Sequence, residues 1–436
     1  MDSRKRQQPR ETELLATARK LLPAAITGPS AAPAGPLTAA HGSAGRLVDG
    51  SDNSFVDYCM GSGSLLLGHC HPAVTEAVTA QLARGTNFRV TSEPAVRLAE
   101  RIVAAVPCAE QACFTASGSD AISLAMRMVR ARRRCDKILK FEGASHGTGD
   151  YALMSNHRSY VVGDYPRPVP NSAGIPRSVE DSILVAPFND LEATTKIVER
   201  HHDDIAAIIV EPVQRTIAPV AGFLEGLRQL TSRYDILLIF DENVTGFRIA
   251  PGGAQQRFGI TPDLCTLGPS ISSGLPLGIV CGRTDVISMV DPARYGHGDY
   301  VMQPARFAGS PLSCAAALAT LDVLGTSGAH ERLLESGQRL VDGARRSFAQ
   351  AGIPIQITGE PQAFGVWFTT EDPTSFHSTL LADDDLAQRF SVDLLDRGVF
   401  AAPEMFFVST AHDDADIETT LAAFDAIAAQ MAGATT

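Results

Sequence analysis

Lysine is scarce in this chain: there are five in 436 residues, and none after Lys196. Acidic side chains outnumber basic ones, giving a net charge of −12 and a pI near 5.4. A phosphate backbone is met by clustered Lys and Arg, so this balance excludes a nucleic-acid footprint. The one basic run, Arg130 to Lys140, closes a helical pattern and enters a strand, and reads as a solvated face. Long apolar runs are also missing. No stretch reaches the roughly 18 residues of a membrane-spanning helix. Met1 to Arg10 is polar with no apolar segment behind it, unlike a secretory signal. A cytoplasmic protein with no membrane partner is expected. The eight cysteines form no CxxC pair, which speaks against a zinc site or a disulfide framework. They read as reduced, mostly buried small hydrophobes, and no metal is expected.

With 44% hydrophobic and 20% charged residues, the chain is long enough for two domains and a large core. Leu14, Leu15, Ala18, Leu21 and Leu22 recur at helical spacing, and a Pro/Ala/Gly-rich arm follows from Pro23 to Gly45. Helices are expected over 73–84, 93–106, 120–133, 191–201 and 222–234. Strands are expected over 111–115, 137–141, 206–211, 237–241 and 264–267. Such alternation predicts an α/β fold whose mainly parallel sheet is covered on both faces. Residues 311–350 are Ala/Leu-rich and helical, and 351–436 alternate again in a smaller unit. The boundaries expected are an arm with part of the small domain over 1–70, a large domain over 71–315 and a small domain over 316–436. Asn156 to Ser178 is polar, Pro-rich and aperiodic, as expected of a mobile loop over a site.

Ligands of open α/β sheets sit at the carboxyl ends of the strands, so the residues just after each strand carry the information. After the first strand, Ser117-Gly118-Ser119-Asp120 opens a helix, where hydroxyls and free N–H groups could cradle a phosphate. The same residues also serve as a plain helix cap. After Leu237 to Phe240 comes Asp241, a buried carboxylate that needs a cationic side chain or a protonated ring nitrogen. His146 stands on a Gly-flanked turn at the same edge, where it is either structural or catalytic.

The stretches FTASGSDAISLAMRMVRA, DKILKFEGASHG, IIVEPV, LLIFDENVTGFR, GITPDLCTLG and FAGSPLSCAAALATL occur here in family order. With them the chain resembles the class III aminotransferases, and within that family the glutamate-1-semialdehyde-aminomutase branch, over nearly its whole length. The resemblance implies the aspartate-aminotransferase-like fold (fold type I of pyridoxal phosphate enzymes), with a smaller α+β domain. It also implies a homodimer acting on a small-molecule substrate. Ser117, Gly118 and Ser119 correspond to the family's phosphate loop, and Asp241 to the partner of the pyridine nitrogen. Ser145, Glu211, Asn243, Arg306 and Phe307 fall in the remaining cofactor-contacting positions.

Departures cluster in that pocket. The family's Schiff-base lysine follows Thr-Leu-Gly, and here Thr266-Leu267-Gly268 is followed by Pro269, which has no nucleophile. The stacking tyrosine before His-Gly is Ser145, and the apolar residue two after the aspartate is Asn243. A threonine-bearing contact across the dimer has become Ala305-Arg306-Phe307, a cationic fork suited to an anion. The aminomutase's carboxylate grip corresponds to Pro29-Ser30-Ala31, so glutamate 1-semialdehyde is not the expected substrate.

The first reading is an enzyme that holds pyridoxal or pyridoxamine 5′-phosphate, or a preformed cofactor–substrate aldimine, without a covalent bond. His146 and then Ser270 would be its proton carriers. Elimination, dehydration, epimerisation or amino transfer are its candidate reactions, and the Lys-poor, high-GC composition suggests specialised metabolism. A second reading is a cofactor-free enzyme binding another anion through Arg306 and Asp241. A third is a non-catalytic partner subunit.

Overall fold

The computed structural model describes residues 9–25, 37–158, 164–303, 306–326 and 328–434. The chain divides into two compact units, one of residues 73–330 with 374–380 and one of 1–72, 331–373 and 381–436. The expected break at 315/316 moves to 330/331. Helix Pro311–Leu324 is apolar on much of its surface and packs on helix Glu93–Ala105 and on the turn Pro269–Ser272, so it stays with the large unit.

The large unit is built on a seven-stranded sheet. In chain order its strands are β1 (Gln111–Thr115), β2 (Lys137–Phe141), β3 (Ile183–Ala186), β4 (Ile205–Val210), β5 (Leu237–Asp241), β6 (Leu264–Leu267) and β7 (Gly278–Gly282). Their spatial order is β1-β7-β6-β5-β4-β2-β3. Only β7 runs against its neighbours, pairing antiparallel with both β1 and β6. The short strands β3 and β7 were not expected from the sequence. They carry four and five residues without alternation, a pattern that a buried helix shares.

Alternate residues of each strand enter separate cores. Ile138, Ala207, Ile209, Leu237 and Ile239 pack on one face with the apolar side of α1 (Gly118–Arg133). Leu139, Phe141, Ile208, Val210, Leu238 and Phe240 pack on the other with Phe223, Leu224 and Leu227. Both faces are therefore dry, and the strands read as continuous apolar runs. The carboxyl ends of β2, β4, β5 and β6 are left as the places where polar side chains can gather.

The basic run is not wholly solvated. Lys140 is fully buried, and its Nζ donates to the carbonyls of Ala144 (3.0 Å), Ala152 (3.3 Å) and Met154. Three carbonyls compensate part of the desolvation of an ammonium, yet burial still lowers its pKa to about 7. The bonds fasten the turn after β2 to residues 152–154, so this lysine is a structural clamp.

In the smaller unit, Ala39–Ser43, Arg46–Asp49, Ser54–Asp57 and Val399–Phe400 form a four-stranded sheet, and Gln356–Glu360, Ala363–Trp367 and Phe406–Phe407 a three-stranded one. The arm expected over Pro23–Gly45 thus ends in a strand, while its part over 26–36, with Pro29-Ser30-Ala31, lies outside the described residues.

Candidate active site

The strand ends of the large unit bring most of the expected residues together. Asp241 closes β5 and is 5% exposed. Its Oδ1 accepts from the backbone N–H of Asn243 (3.2 Å), from Asn243 Nδ2 (2.6 Å) and from Thr266 Oγ1 (3.3 Å). Its Oδ2 lies 2.8 Å from His146 Nδ1. The cationic Arg or Lys partner considered for this carboxylate is absent among these contacts, and neutral donors with an imidazole take its place. Oδ2, engaged once, keeps acceptor capacity.

His146 is itself 1% exposed. Burial lowers its pKa, and the hydrogen bond and charge of Asp241 pull the other way. Its remaining nitrogen, Nε2, is buried without a partner. The turn that carries it rests on the opposite loop: Thr148 N donates to Ser119 Oγ (3.3 Å), and a Cβ on Gly147 (φ 89°) would lie 2.5 Å from that oxygen.

Ser117 is the N-cap of α1: its Oγ accepts from Asp120 N (3.1 Å) and donates to Asp120 Oδ2 (2.8 Å). The cap reading is thereby realised. The N–H groups of Gly118 and Ser119 belong to the first helical turn, where donors have no intrahelical acceptor, so an anion can still be met there.

Asn243 is wedged between two glycines. A Cβ on Gly118 or on Gly268 would stand 2.5 Å from its Oδ1 in either case. That oxygen is buried with no hydrogen-bond partner, because Nδ2 is committed to Asp241. Gly268 precedes Pro269, which opens the short 3-10 turn Pro269–Ser272 after β6. Ser270 is buried in that turn, 3% exposed, and makes no hydrogen bond to Asp241 or His146.

Glu211, just past β4, joins from the other side: its Oε2 accepts from Ser145 N at 3.4 Å. Burial pushes its carboxyl up to about 8, Arg215 opposing and Asp241 adding to the rise. Near neutral pH Glu211 therefore stands beside Asp241 as a protonated carboxyl. Arg306 and Phe307 are exposed, and neither touches these residues among the described contacts.

Two features escaped the sequence. Arg215 sits four residues after Glu211 with φ 59°, and nothing in its neighbours marks a turn that glycine would favour. The loop expected to be mobile over 156–178 is tethered in its described parts. Val169 N donates to Ser155 Oγ (2.9 Å), and Tyr165 Oη donates to Glu142 Oε2 (2.5 Å), which His377 Nε2 also approaches at 2.7 Å.

Comparison with known proteins identifies the family and agrees with the fold. Residues 30–405 match the family described as aminotransferase class III. A glutamate-1-semialdehyde 2,1-aminomutase from Methanothermobacter thermautotrophicus is 38% identical over 422 residues, covering 95% of this chain and 98% of that one. An omega-transaminase from Sphaerobacter thermophilus superposes with a TM-score of 0.92 at 32% identity, covering 99% of each chain. A transaminase solved with PLP bound superposes with a TM-score of 0.88 at 26% identity, covering 97% of this chain and 98% of that one.

Proposed function

Because this chain belongs to the class III aminotransferase family, whose cofactor is pyridoxal or pyridoxamine 5′-phosphate, we propose that it is a lysine-independent member holding that cofactor by non-covalent contacts alone. The observation that carries the proposal is the contrast at one sheet edge. Proline stands at position 269, where the resemblance expects the lysine, while Asp241 is kept and hydrogen-bonded to His146 and Asn243.

The residues present fit the group. Two buried polar atoms, His146 Nε2 and Asn243 Oδ1, flank Asp241 without partners, and unpaired buried polar atoms are costly unless a ligand meets them. When bound, the cofactor supplies an electron sink for charge developing on the substrate. Asp241 would face the ring nitrogen through Oδ2, and Ser117, Gly118 and Ser119 would take the phosphate at the start of α1. His146 would hold Asp241 fixed in orientation, acting through it as a positioning residue rather than as the proton carrier expected from residue type. Ser270 and the protonated Glu211 are then the groups able to hold or move a proton, Glu211 because its pKa of about 8 is matched to neutral pH.

The reaction class is elimination, dehydration, epimerisation or amino transfer on an amino or keto compound of specialised metabolism. Pro29-Ser30-Ala31 stands where the resemblance expects the aminomutase's carboxylate grip, so glutamate 1-semialdehyde is not the substrate this reading assigns. The working unit is a homodimer, with Arg306 contributed across the interface. Family membership favours this reading over a cofactor-free enzyme or a non-catalytic subunit. Calorimetric titration with both cofactor forms tests it: saturable binding is expected, and no binding at millimolar concentration sinks it.

A further inference from the structure

We propose that Arg215 is the receptor for a substrate carboxylate, which makes the ligand an amino or keto acid rather than a simple amine. The inference rests on the non-covalent cofactor reading and names the substrate class of the same site.

After β4 the chain passes through Glu211 and reverses tightly. Gln214 N donates to Ile217 O (2.9 Å) and Ile217 N to Gln214 O (2.8 Å), so Arg215 and Thr216 form a two-residue turn. The turn is anchored from both sides. Gln214 Nε2 donates to Glu142 O (2.8 Å), and Thr216 is fully buried. From 211 to 217 every residue is buried except Arg215. Its φ of 59° lies in the left-handed region, which glycine adopts freely and an arginine rarely does. A strained, rigid pedestal thus presents one cationic side chain to solvent.

That side chain is unpaired. Among the described residues the Arg215 guanidinium makes no hydrogen bond and no ion pair. Its charge is nevertheless felt at Glu211 and His146, so it lies at the end of the sheet that carries Asp241. A guanidinium offers two parallel N–H donors to a carboxylate, and an anchor of this kind fixes the distance between the carboxylate and the reacting carbon. With Glu211 protonated, the cation is not neutralised by that carboxyl, and an incoming anion supplies the missing partner.

The test uses the full-length protein loaded with pyridoxamine 5′-phosphate and two probes, glutarate and its uncharged counterpart glutaramide, followed by calorimetry. Glutarate is expected to bind and glutaramide not. Arg215→Gly should bind glutarate at least tenfold more weakly, while melting no lower than the parent because glycine suits the turn. Arg215→Lys should fall between, and the affinity of both variants for pyridoxamine 5′-phosphate should stay within twofold of the parent. Phenylglyoxal labelling of the peptide containing Arg215 should be slowed by glutarate, with or without cofactor. Unchanged glutarate affinity in Arg215→Gly, equal binding of the two probes, or a parent that binds no glutarate and leaves Arg215 unprotected overturns the proposal. So does a loss of cofactor affinity in Arg215→Gly, which would assign the arginine to the cofactor phosphate. Failure of the parent to take up the cofactor, with Arg215 still protected by glutarate, would instead count against the non-covalent cofactor reading.

Discussion

Nδ1 of His146 and Oδ2 of Asp241 lie 2.8 Å apart with both side chains almost wholly out of water. A buried imidazole whose pKa is lowered is neutral at pH 7, so its Nδ1–H donates to the Asp241 carboxylate and holds it in place. Asp241→Asn keeps the shape and removes the charge. A charge-assisted hydrogen bond is worth about 1.5–3 kcal/mol, so affinity for pyridoxamine 5′-phosphate should fall by about one to two decades. Titration calorimetry reads this directly, and a change within twofold would show that the ring nitrogen does not use this carboxylate.

Borohydride reduction of the protein incubated with pyridoxal 5′-phosphate should leave no pyridoxyl group on any site-borne lysine. Lys140 is clamped by three carbonyls, and no lysine follows Lys196. Pro269→Lys should restore reducible attachment at position 269, with Pro269→Ala as the unreactive control. Peptide mass spectrometry decides, and a modified lysine peptide from the unaltered protein would revive ordinary transamination.

Replacing Gly268 by alanine would drive a Cβ to 2.5 Å from Asn243 Oδ1. Overpacking of this kind costs about 1–3 kcal/mol, to be read as a shift of the urea midpoint. Adding Asn243→Ala should return most of that loss, since the clashing atom is gone. A double variant as unstable as Gly268→Ala alone would mean that the glycine is required for another reason.

Stability should carry the imprint of Glu211. Its folded pKa is raised to about 8 from the ordinary 4.5, so between those pH values the folded state binds a proton that the unfolded state has lost. Stability therefore falls as pH rises through that window. Glu211→Gln should remove the slope, gaining on the order of 4 kcal/mol over the parent by pH 8. Lys140 acts in the opposite sense above pH 7, because its folded pKa of about 7 lies below the 10.5 of a free lysine. Glu211 is among the charges felt at Lys140, so the difference between parent and Glu211→Gln is read from pH 5 to 7, and a flat curve there would refute the assignment to Glu211.

In solution the chain should run as a dimer of twice its 46.2 kDa mass. Light scattering coupled to size exclusion settles this, and a clean monomer would remove Arg306 from any shared site.

The sequence alone determined what depends on local pattern. The strands at 111–115, 137–141, 237–241 and 264–267 were legible to the residue, because apolar runs bounded by polar helix starts admit few other structures. The strand-end positions of Asp241, His146 and Ser117 followed from the same periodicity, and the proline at 269 is a plain fact of the sequence. Tertiary structure decided who meets whom. His146 and Asp241 are 95 residues apart, and only the adjacency of β2, β4 and β5 in the sheet brings an imidazole onto that carboxylate. The burial of Lys140 was hidden for a related reason: a lysine in a basic run looks solvated until three distant carbonyls converge on its amine. Arg215 was hidden because its meaning lies in a backbone angle and in the burial of its neighbours, and neither is written in residue type.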